Sequence, residues 1–490
     1  MLNMIDGKRT KIVATIGPAS GNEAVLRKMI QNGLDVARIN FSHGTHETHA
    51  ENIALIRRLA EEEKAVVAIM GDLQGPKIRL GGLSPDPLPI KPGDEIVLTS
   101  RPNPDQSKKH LPLPHPEFVK DIRAGNRLLL DDGEIELTVK TRYGDDLVCE
   151  VVVGNELKSR KGVTALGAKL SLSALTDKDR ADVVFALEQN LDYLAMSFVR
   201  SADDMRELRW LVRHHGGDVW LIAKIEKTEA IENFEEILQH SDGIMVARGD
   251  LGVELPAAEV PVRQKHIIRR CNQVGKPVIT ATQMLNSMVS NPRPTRAEAS
   301  DVANAIFDGT DAIMLSAESA SGKYPVESVA MMTEIAKIAE AHLLENSNEK
   351  MWRGFGEAVT ENISEAISYA TSVMAHELRA KMIVTSTWTG YTAQRVARQR
   401  PLTPIVCVTP HRGTYQRMAL VWGVLPILVE EFASIDDMIR IVVQTTVERE
   451  LIEINDIMII IAGVPFGAGG QTNFVKIHRV GESGEVEKEL

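Results

Sequence analysis

Residues 192–226, DYLAMSFVRSADDMRELRWLVRHHGGDVWLIAKIE, read as one strand, helix and strand in succession. Asp192–Ser197 and Val219–Ile225 are short apolar runs of the length a buried parallel strand needs, and Ala202–His214 between them has the spacing of an amphipathic helix. Six more runs of the same kind occur: Lys11–Ile16, Asp35–Ile39, Ala65–Met70, Gly243–Ala247, Pro277–Ala281 and Asp311–Leu315. Helical patterns such as Asn22–Asn32, Glu47–Glu61 and Val262–Val274 separate most of them. Eight strands alternating with helices close a TIM (β/α)8 barrel. Polar residues gather where these runs end, at Asn40 to His43, Gly71-Asp72, Lys224 to Glu226, Arg248 to Asp250 and Thr282-Gln283. Barrel enzymes build their sites at that end.

The alternation breaks after the third run, where roughly ninety residues replace a normal connection of a few. An inserted domain is expected at 73–168, splitting the barrel into 1–72 and 169–345. Its proline-rich start (Gly81–Pro116) and strand-like runs at Arg127–Leu130, Glu134–Thr141 and Leu147–Val153, with turn signals at Asp132-Gly133 and Gly144-Asp145, predict a small β barrel. Emerging from the catalytic face, it is placed to act as a lid. From 346 to 490 the pattern restarts as a three-layer α/β domain: helix Glu357–Leu378, then Lys381–Thr385, Thr392–Arg398, Ile405–Val408, Tyr415–Gly423, Ser434–Leu451 and Ile457–Ala462. The acidic Gly484–Leu490 reads as a solvated end.

With 43% hydrophobic and 25% charged residues, the 490-residue chain has the composition of a globular protein of several domains. A net charge of −11 and an aromatic content of 4% argue against nucleic acid as a partner, while a small phosphorylated substrate needs only a local positive pocket. Cys149, Cys271 and Cys407 are too few and scattered for a disulfide framework or a zinc cluster. No stretch approaches a membrane span and no apolar core follows the N-terminal basic residues, so a cytoplasmic protein without membrane contact is expected.

Lys224 and Glu226 end one strand, Asp250 the next and Thr282 the third. Residues two apart in a strand point to one face. Two carboxylates on adjacent strand ends suit Mg²⁺, with Mn²⁺ as an alternative, and a lysine beside them would neutralise a migrating phosphoryl group. A salt bridge among Lys224, Glu226 and Asp250 is the bland alternative. Arg248-Gly249-Asp250-Leu251-Gly252 offers backbone amides at a helix start, or is a plain turn. Arg38, Lys77 and Arg79 add basic groups near the first three strand ends, and His43 reads equally as a ligand, a cap or a core histidine. Thr295 and Glu298 have capping-box spacing, and Gly309 is a plausible stop. Arg296 at that helix start could also reach a neighbouring subunit or the site.

The segments Thr10–Ser20, Arg38–Gly44, Ile222–Glu226, Gly243–Glu254, Ala281–Met288 and Asn291–Asn304 together resemble the pyruvate kinases through nearly the whole chain. The resemblance implies a barrel with a β lid and a regulatory α/β domain, assembled as a homotetramer. It implies transfer of a phosphoryl group from phosphoenolpyruvate to ADP, giving pyruvate and ATP. Glu226 and Asp250 would hold the divalent cation, Lys224 would stabilise the phosphoryl group, and Arg38 would clamp the phosphate. Gly249, Asp250 and Thr282 would bind the substrate carboxylate, with Thr282 helping to deliver a proton to the enolate. Asn40, His43, Arg79, Asp132 and Lys161 would line the nucleotide side.

One departure from the family pattern bears on cofactors. Many members bind K⁺ near the positions of Asn40, Ser42 and Asp72, with Thr-Lys after that aspartate and a glutamate two residues before the arginine. Here Leu73, Gln74 and Lys77 stand in those places, so the Lys77 ammonium is expected to replace K⁺. In the C-terminal domain, Thr385, Ser386, Thr387, Thr389 and Gly390, faced by Gly467–Gly470, resemble the family's site for a sugar-phosphate or nucleotide effector; capping and turn formation are the alternative. Two rival classes remain: a Mg²⁺-dependent barrel aldolase, which needs neither lid nor ADP, and a metabolite sensor, which the intact Lys224, Glu226, Asp250 and Thr282 disfavour.

Overall fold

The computed structural model describes residues 7–345, 362–466 and 471–481. Eight parallel strands close a barrel: Lys11–Ile16, Val36–Asn40, Ala68–Asp72, Tyr193–Met196, Trp220–Ile225, Gly243–Ala247, Val278–Ala281 and Ala312–Leu315, each paired with its neighbours in sequence and the last with the first. All eight expected runs are strands, although several start later than their sequence pattern. An aspartate opens three of these runs, Asp35, Asp192 and Asp311, and a fourth, Asp242, precedes a strand that starts where expected. Asp35, Asp192, Asp242 and Asp311 turn their carboxylates onto backbone N–H groups of adjacent strands, those of Ile12 (2.7 Å), Ile69 (2.8 Å), Leu221 (2.8 Å) and Val278 (3.0 Å). They close off the lower rim instead of extending the ladder.

Alternate residues of each strand face inward. Val13, Val36, Met70, Tyr193, Ile222 and Met245 pack inside the barrel, while Ile12, Ile39 and Ile69 pack outward against the helices. Ala419 and Leu420 of the C-terminal domain join the inner cluster, and the Tyr193 hydroxyl donates to the Arg417 carbonyl at 2.7 Å, so the C-terminal domain seats under the barrel floor.

Burial pushes the Asp192 carboxyl up to about 6 at this floor, against the nearby arginines Arg57, Arg417 and Arg412. An acid with a higher pKa folded than unfolded binds its proton more tightly in the folded state. Its charge therefore costs stability as pH rises from the unfolded value toward the folded one. Asp192→Asn keeps an acceptor for the Ile69 N–H without that charge. The variant is expected to be more stable by about 2–3 kcal/mol at pH 8, with the difference gone near pH 4, as denaturant titrations at both pH values would read.

The chain leaves the barrel after Asp72 and re-enters it through the helix Asp177–Glu188, whose Thr176 and Asp179 form a capping box. The insert is a six-stranded sheet in the order Val163–Leu166, Arg127–Leu130, Ile135–Tyr143, Asp146–Val153, Glu95–Thr99, His110–Pro112, with a separate pair of Leu88–Pro89 and Glu156–Leu157. The expected β domain is present, but its hydrogen bonding closes no ring. The edge strand His110–Pro112 is short and ends in a proline, which has no N–H with which to continue a ladder. Asp132 (φ 55°) and Gly133 (φ 98°) make the expected turn.

The C-terminal sheet runs Val424–Leu428, Ile405–Thr409, Met382–Ser386, Ile457–Ala462, Phe474–Arg479, the last antiparallel. Its central strands bury one set of residues under the helix Ile435–Glu448 and the alternate set under Ile363–Glu377 and Tyr391–Arg398, which gives three layers. Both edge strands escape the sequence reading. Val424–Leu428 holds Pro426, and Phe474–Arg479 interleaves Lys476, His478 and Arg479 with apolar residues, patterns that edges tolerate and central strands do not. Residues 357–361 of the expected helix, Gly467–Gly470 and the Gly484–Leu490 tail lie outside the described residues. No described helix is long and apolar enough to cross a membrane.

Candidate active site

The inward parity that packs the barrel also sets its mouth. Register places Thr15 beside Arg38, and Asn40 and Ala195 beside Asp72. Lys224, two residues above the inward Ile222, reaches this group. Its Nζ stands 2.8 Å from Glu226 Oε1 and 3.3 Å from Asp72 Oδ1, and donates to Ser197 Oγ at 2.6 Å. Arg38 donates to Asp72 Oδ2 through Nε (2.7 Å) and Nη2 (2.6 Å), and to Thr15 Oγ1 through Nη1 (2.8 Å). The Asp72 and Glu226 side chains are only 1% and 2% exposed, so these ion pairs lie in a desolvated mouth where charge interactions are strong.

The two buried carboxyls respond differently. Burial works to raise the Asp72 pKa, but Lys224 and Arg38 outweigh it and hold the carboxyl below its usual range. Burial raises that of Glu226, and the nearby Asp250 raises it further, against Lys224. The alternative of a salt bridge among Lys224, Glu226 and Asp250 is thus half realised: Lys224 pairs with Glu226 and Asp72, and among the described residues no cation pairs with Asp250. Two crowded carboxylates short of positive charge form the donor set that a hard dication relieves. Among the described residues no cluster of three or more His, Cys, Asp or Glu side chains could enclose a metal. The pair Glu226 and Asp250 matches the needs of a cation such as Mg²⁺, which takes one or two carboxylates and completes its shell with water and substrate oxygens.

Asp250 and Gly249 lie in the first turn of a short helix, Arg248–Glu254. The Gly249 N–H donates to Thr282 Oγ1 at 2.7 Å, which ties this turn to the end of the seventh strand. Thr282 (φ 69°) and Gln283 (φ 54°) are consecutive non-glycine residues in the left-handed region, where a β-branched side chain is costly. Arg248 braces them from behind. Its Nη2 donates to the Thr282 carbonyl (2.9 Å), its Nε to the Ala281 carbonyl (3.3 Å) and its Nη1 to Asp301 (2.8 Å).

The insert hangs over this mouth, its Asp131–Gly133 turn and Val163–Leu166 strand against the short helix. Both connections are fastened on the barrel side. Arg200 donates to the carbonyls of Leu170 and Leu172, each at 2.7 Å, and Gly75 packs on Phe198, whose N–H donates to Glu226 Oε2 at 2.8 Å. A Cβ at Gly75 would stand 2.7 Å from the Phe198 ring, and its φ of 66° also calls for glycine.

The other expected site residues are more dispersed. Asn40 Oδ1 accepts the Ser42 N–H (3.1 Å), and His43 is exposed beside them. Arg79 and Asp132 are exposed on the insert, where Arg79 Nη1 donates to the Arg160 carbonyl (3.1 Å), and Lys161 pairs with Asp131 (2.7 Å). Asn40 lies in register with Asp72, while Arg79 and Lys161 are tied to the insert itself. Lys77 reaches the cleft that Glu226, Asp250 and Asp132 line.

In the C-terminal domain Thr387 Oγ1 accepts the Gly390 N–H (3.1 Å), Thr389 is exposed, and Gly390 (φ 88°) starts the helix Tyr391–Arg398. Thr385 and Ser386 end the buried strand that leads into this loop, and Thr385 Oγ1 donates across the sheet to the Val406 carbonyl (3.3 Å). At the capping box, Thr295 and Glu298 bond reciprocally and start the helix Arg296–Phe307.

Sequence reasoning gave no role to Thr15, Phe198 or Arg248. Strand parity would have pointed Thr15 inward beside Arg38. The φ of 55° at Phe198 and the reach of Arg248 across four elements leave no mark in local sequence.

Two family models match the chain, one described as pyruvate kinase, barrel domain, over residues 7–329 and one as pyruvate kinase, alpha/beta domain, over 365–478. A pyruvate kinase of Clostridium perfringens is 43% identical over 474 residues, 96% of this chain and 100% of that one. One of Geobacillus stearothermophilus is 44% identical over 478 residues, 97% of this chain and 81% of that one. Among solved structures, a pyruvate kinase from Cryptosporidium parvum matches with a TM-score of 0.90 at 35% identity, covering 98% of this chain and 97% of that one. Fold and mouth together define a barrel phosphotransferase. The chain belongs to the pyruvate kinase family, whose substrates and products are phosphoenolpyruvate, ADP, ATP and pyruvate.

Proposed function

We propose that the chain moves the phosphoryl group of phosphoenolpyruvate onto ADP with the help of a divalent cation, Mg²⁺ first and Mn²⁺ as a substitute, held by Glu226 and Asp250. The observation that carries this reading is the juxtaposition of two cations braced on buried Asp72, Lys224 and Arg38, with two carboxylates short of positive charge. When bound, the cation would neutralise charge on phosphoryl and enolate oxygens.

Phosphoryl transfer leaves little covalent work for a protein, so positioning and fixed charge carry the catalysis. Arg38, oriented by Asp72 and Thr15, clamps the phosphate with its fixed positive charge, and the Lys224 ammonium follows the phosphoryl group in flight. The Gly249 and Asp250 amides and the Thr282 hydroxyl receive the substrate carboxylate, and Thr282 helps to organise the proton that converts enolate to pyruvate. Asn40, His43, Arg79, Asp132 and Lys161 face the nucleotide once the insert closes and excludes water. Lys77, which reaches the cleft of Glu226, Asp250 and Asp132, would supply the positive charge that K⁺ brings at the positions of Asn40, Ser42 and Asp72 in many members of the family.

A cytoplasmic homotetramer regulated by a sugar phosphate or nucleotide at Thr387, Thr389 and Gly390 completes the reading. Exposed Tyr369 and Val373, one turn apart on the helix Ile363–Glu377, support coverage by a second copy. The test is a coupled assay of the purified chain: ATP and pyruvate should form from phosphoenolpyruvate only when both ADP and Mg²⁺ or Mn²⁺ are present. Pyruvate chemistry that proceeds without ADP would favour the aldolase reading instead.

A further inference from the structure

We infer that Arg248 is a positioning residue for the substrate carboxylate and the enolate proton, acting through Thr282; this rests on the role proposed for Thr282. The guanidinium sits at the meeting of four elements, with its side chain only 12% exposed. Every bond it makes outside its own helix secures the end of the seventh strand or what lies behind it: the carbonyls of Ala281 (3.3 Å) and Thr282 (2.9 Å), Met284 Sδ (2.7 Å), Asp301 (2.7 Å), and Gln264 Oε1 (3.5 Å).

The two carbonyls flank the peptide unit whose residue holds φ at 69°, followed by 54° at Gln283. Such a conformation persists only where its surroundings over-determine it. That same conformation brings Thr282 Oγ1 to the Gly249 N–H, one residue along the chain from Arg248 itself. Arg248 therefore fixes both sides of one pocket: its backbone leads into the amide turn, and its side chain holds the hydroxyl against that turn. Lysine would keep a charge for Asp301 but has no planar fork to grip two carbonyls and a carboxylate together.

The experiment compares Arg248→Lys, Thr282→Ala and the double variant in the full-length chain with Mg²⁺ bound. Three readouts are taken: KM for phosphoenolpyruvate and for ADP separately, turnover, and exchange of solvent deuterium into the methyl group of pyruvate, which reports the proton step without net phosphoryl transfer. Arg248→Lys is expected to raise KM for phosphoenolpyruvate and slow methyl exchange by about 10²-fold, the scale of a 1 Å misplacement, while leaving KM for ADP unchanged. The double variant should be no worse than Thr282→Ala, because both changes remove one constraint.

Additive losses, or equal rises in both KM values, would mean that Arg248 only supports the fold and would overturn the inference. Wild-type exchange in Arg248→Lys with clear loss in Thr282→Ala would also overturn it while sparing the role of Thr282. Full activity in Thr282→Ala would instead remove the reading on which the inference stands.

Discussion

Lys224→Met is expected to lower turnover by about 10²–10³-fold, with KM for ADP nearly unchanged, because it deletes a positive charge needed most when the phosphoryl group is in flight. The mouth geometry adds a cost in stability. Asp72 would keep Arg38, but buried Glu226 would keep only the Phe198 N–H. Removing one partner of a buried ion pair typically costs about 3–5 kcal/mol.

Burial works against the Lys224 charge, but Asp72 and Glu226 outweigh it and push the pKa above its ordinary value. A base with its pKa raised on folding contributes stability that is fully present below the unfolded value and fades only as pH climbs through the folded one. The loss in Lys224→Met should therefore be constant across the neutral range and shrink only in strong alkali. Added Mg²⁺ should return part of the stability by occupying Glu226 and Asp250. Denaturation midpoints with and without Mg²⁺, beside steady-state kinetics, check both halves. Near-normal turnover would remove Lys224 from the mechanism, and a Mg²⁺-insensitive midpoint would detach the metal from Glu226.

The barrel was legible because its physics is local. Each strand must be apolar to be buried on both faces, and period-two parity then fixes which residues look inward. Lys224 and Glu226 could be assigned to one face for that reason alone. What escaped depends on long-range geometry. Ser197, Thr15 and Asp72 reach Lys224 or Arg38 only because neighbouring strands are in register, and Arg248 matters through the Thr282 and Asp301 it reaches 34 and 53 residues away. The C-terminal edge strands escaped because an edge needs no continuous apolar run.

Lys77→Glu is expected to convert a K⁺-indifferent enzyme into a K⁺-dependent one. The Lys77 ammonium lies in the cleft shared with Glu226 and Asp250, forms no ion pair among the described residues, and runs along Gly162, where even a methyl group would stand 3.5 Å from its Cε. A fixed cation so placed adds to the field that holds phosphate oxygens, and it cannot diffuse away as a monovalent ion can. Reversing its sign adds a carboxylate to a cleft already lined by Glu226, Asp250 and Asp132 and removes that charge. Turnover without K⁺ should fall by about 10²-fold, the scale of losing one preorganised electrostatic contact, and most of it should return when K⁺ is added. Wild-type turnover should not respond to K⁺ at all. The measurement is the coupled assay in buffers whose only monovalent cation is too large to bind, with K⁺ titrated in. Strong stimulation of the wild type, or a Lys77→Glu variant that K⁺ cannot rescue, would show that Lys77 is not the substitute. In the second case its charge would be serving the nucleotide phosphates directly, and the loss would appear in KM for ADP.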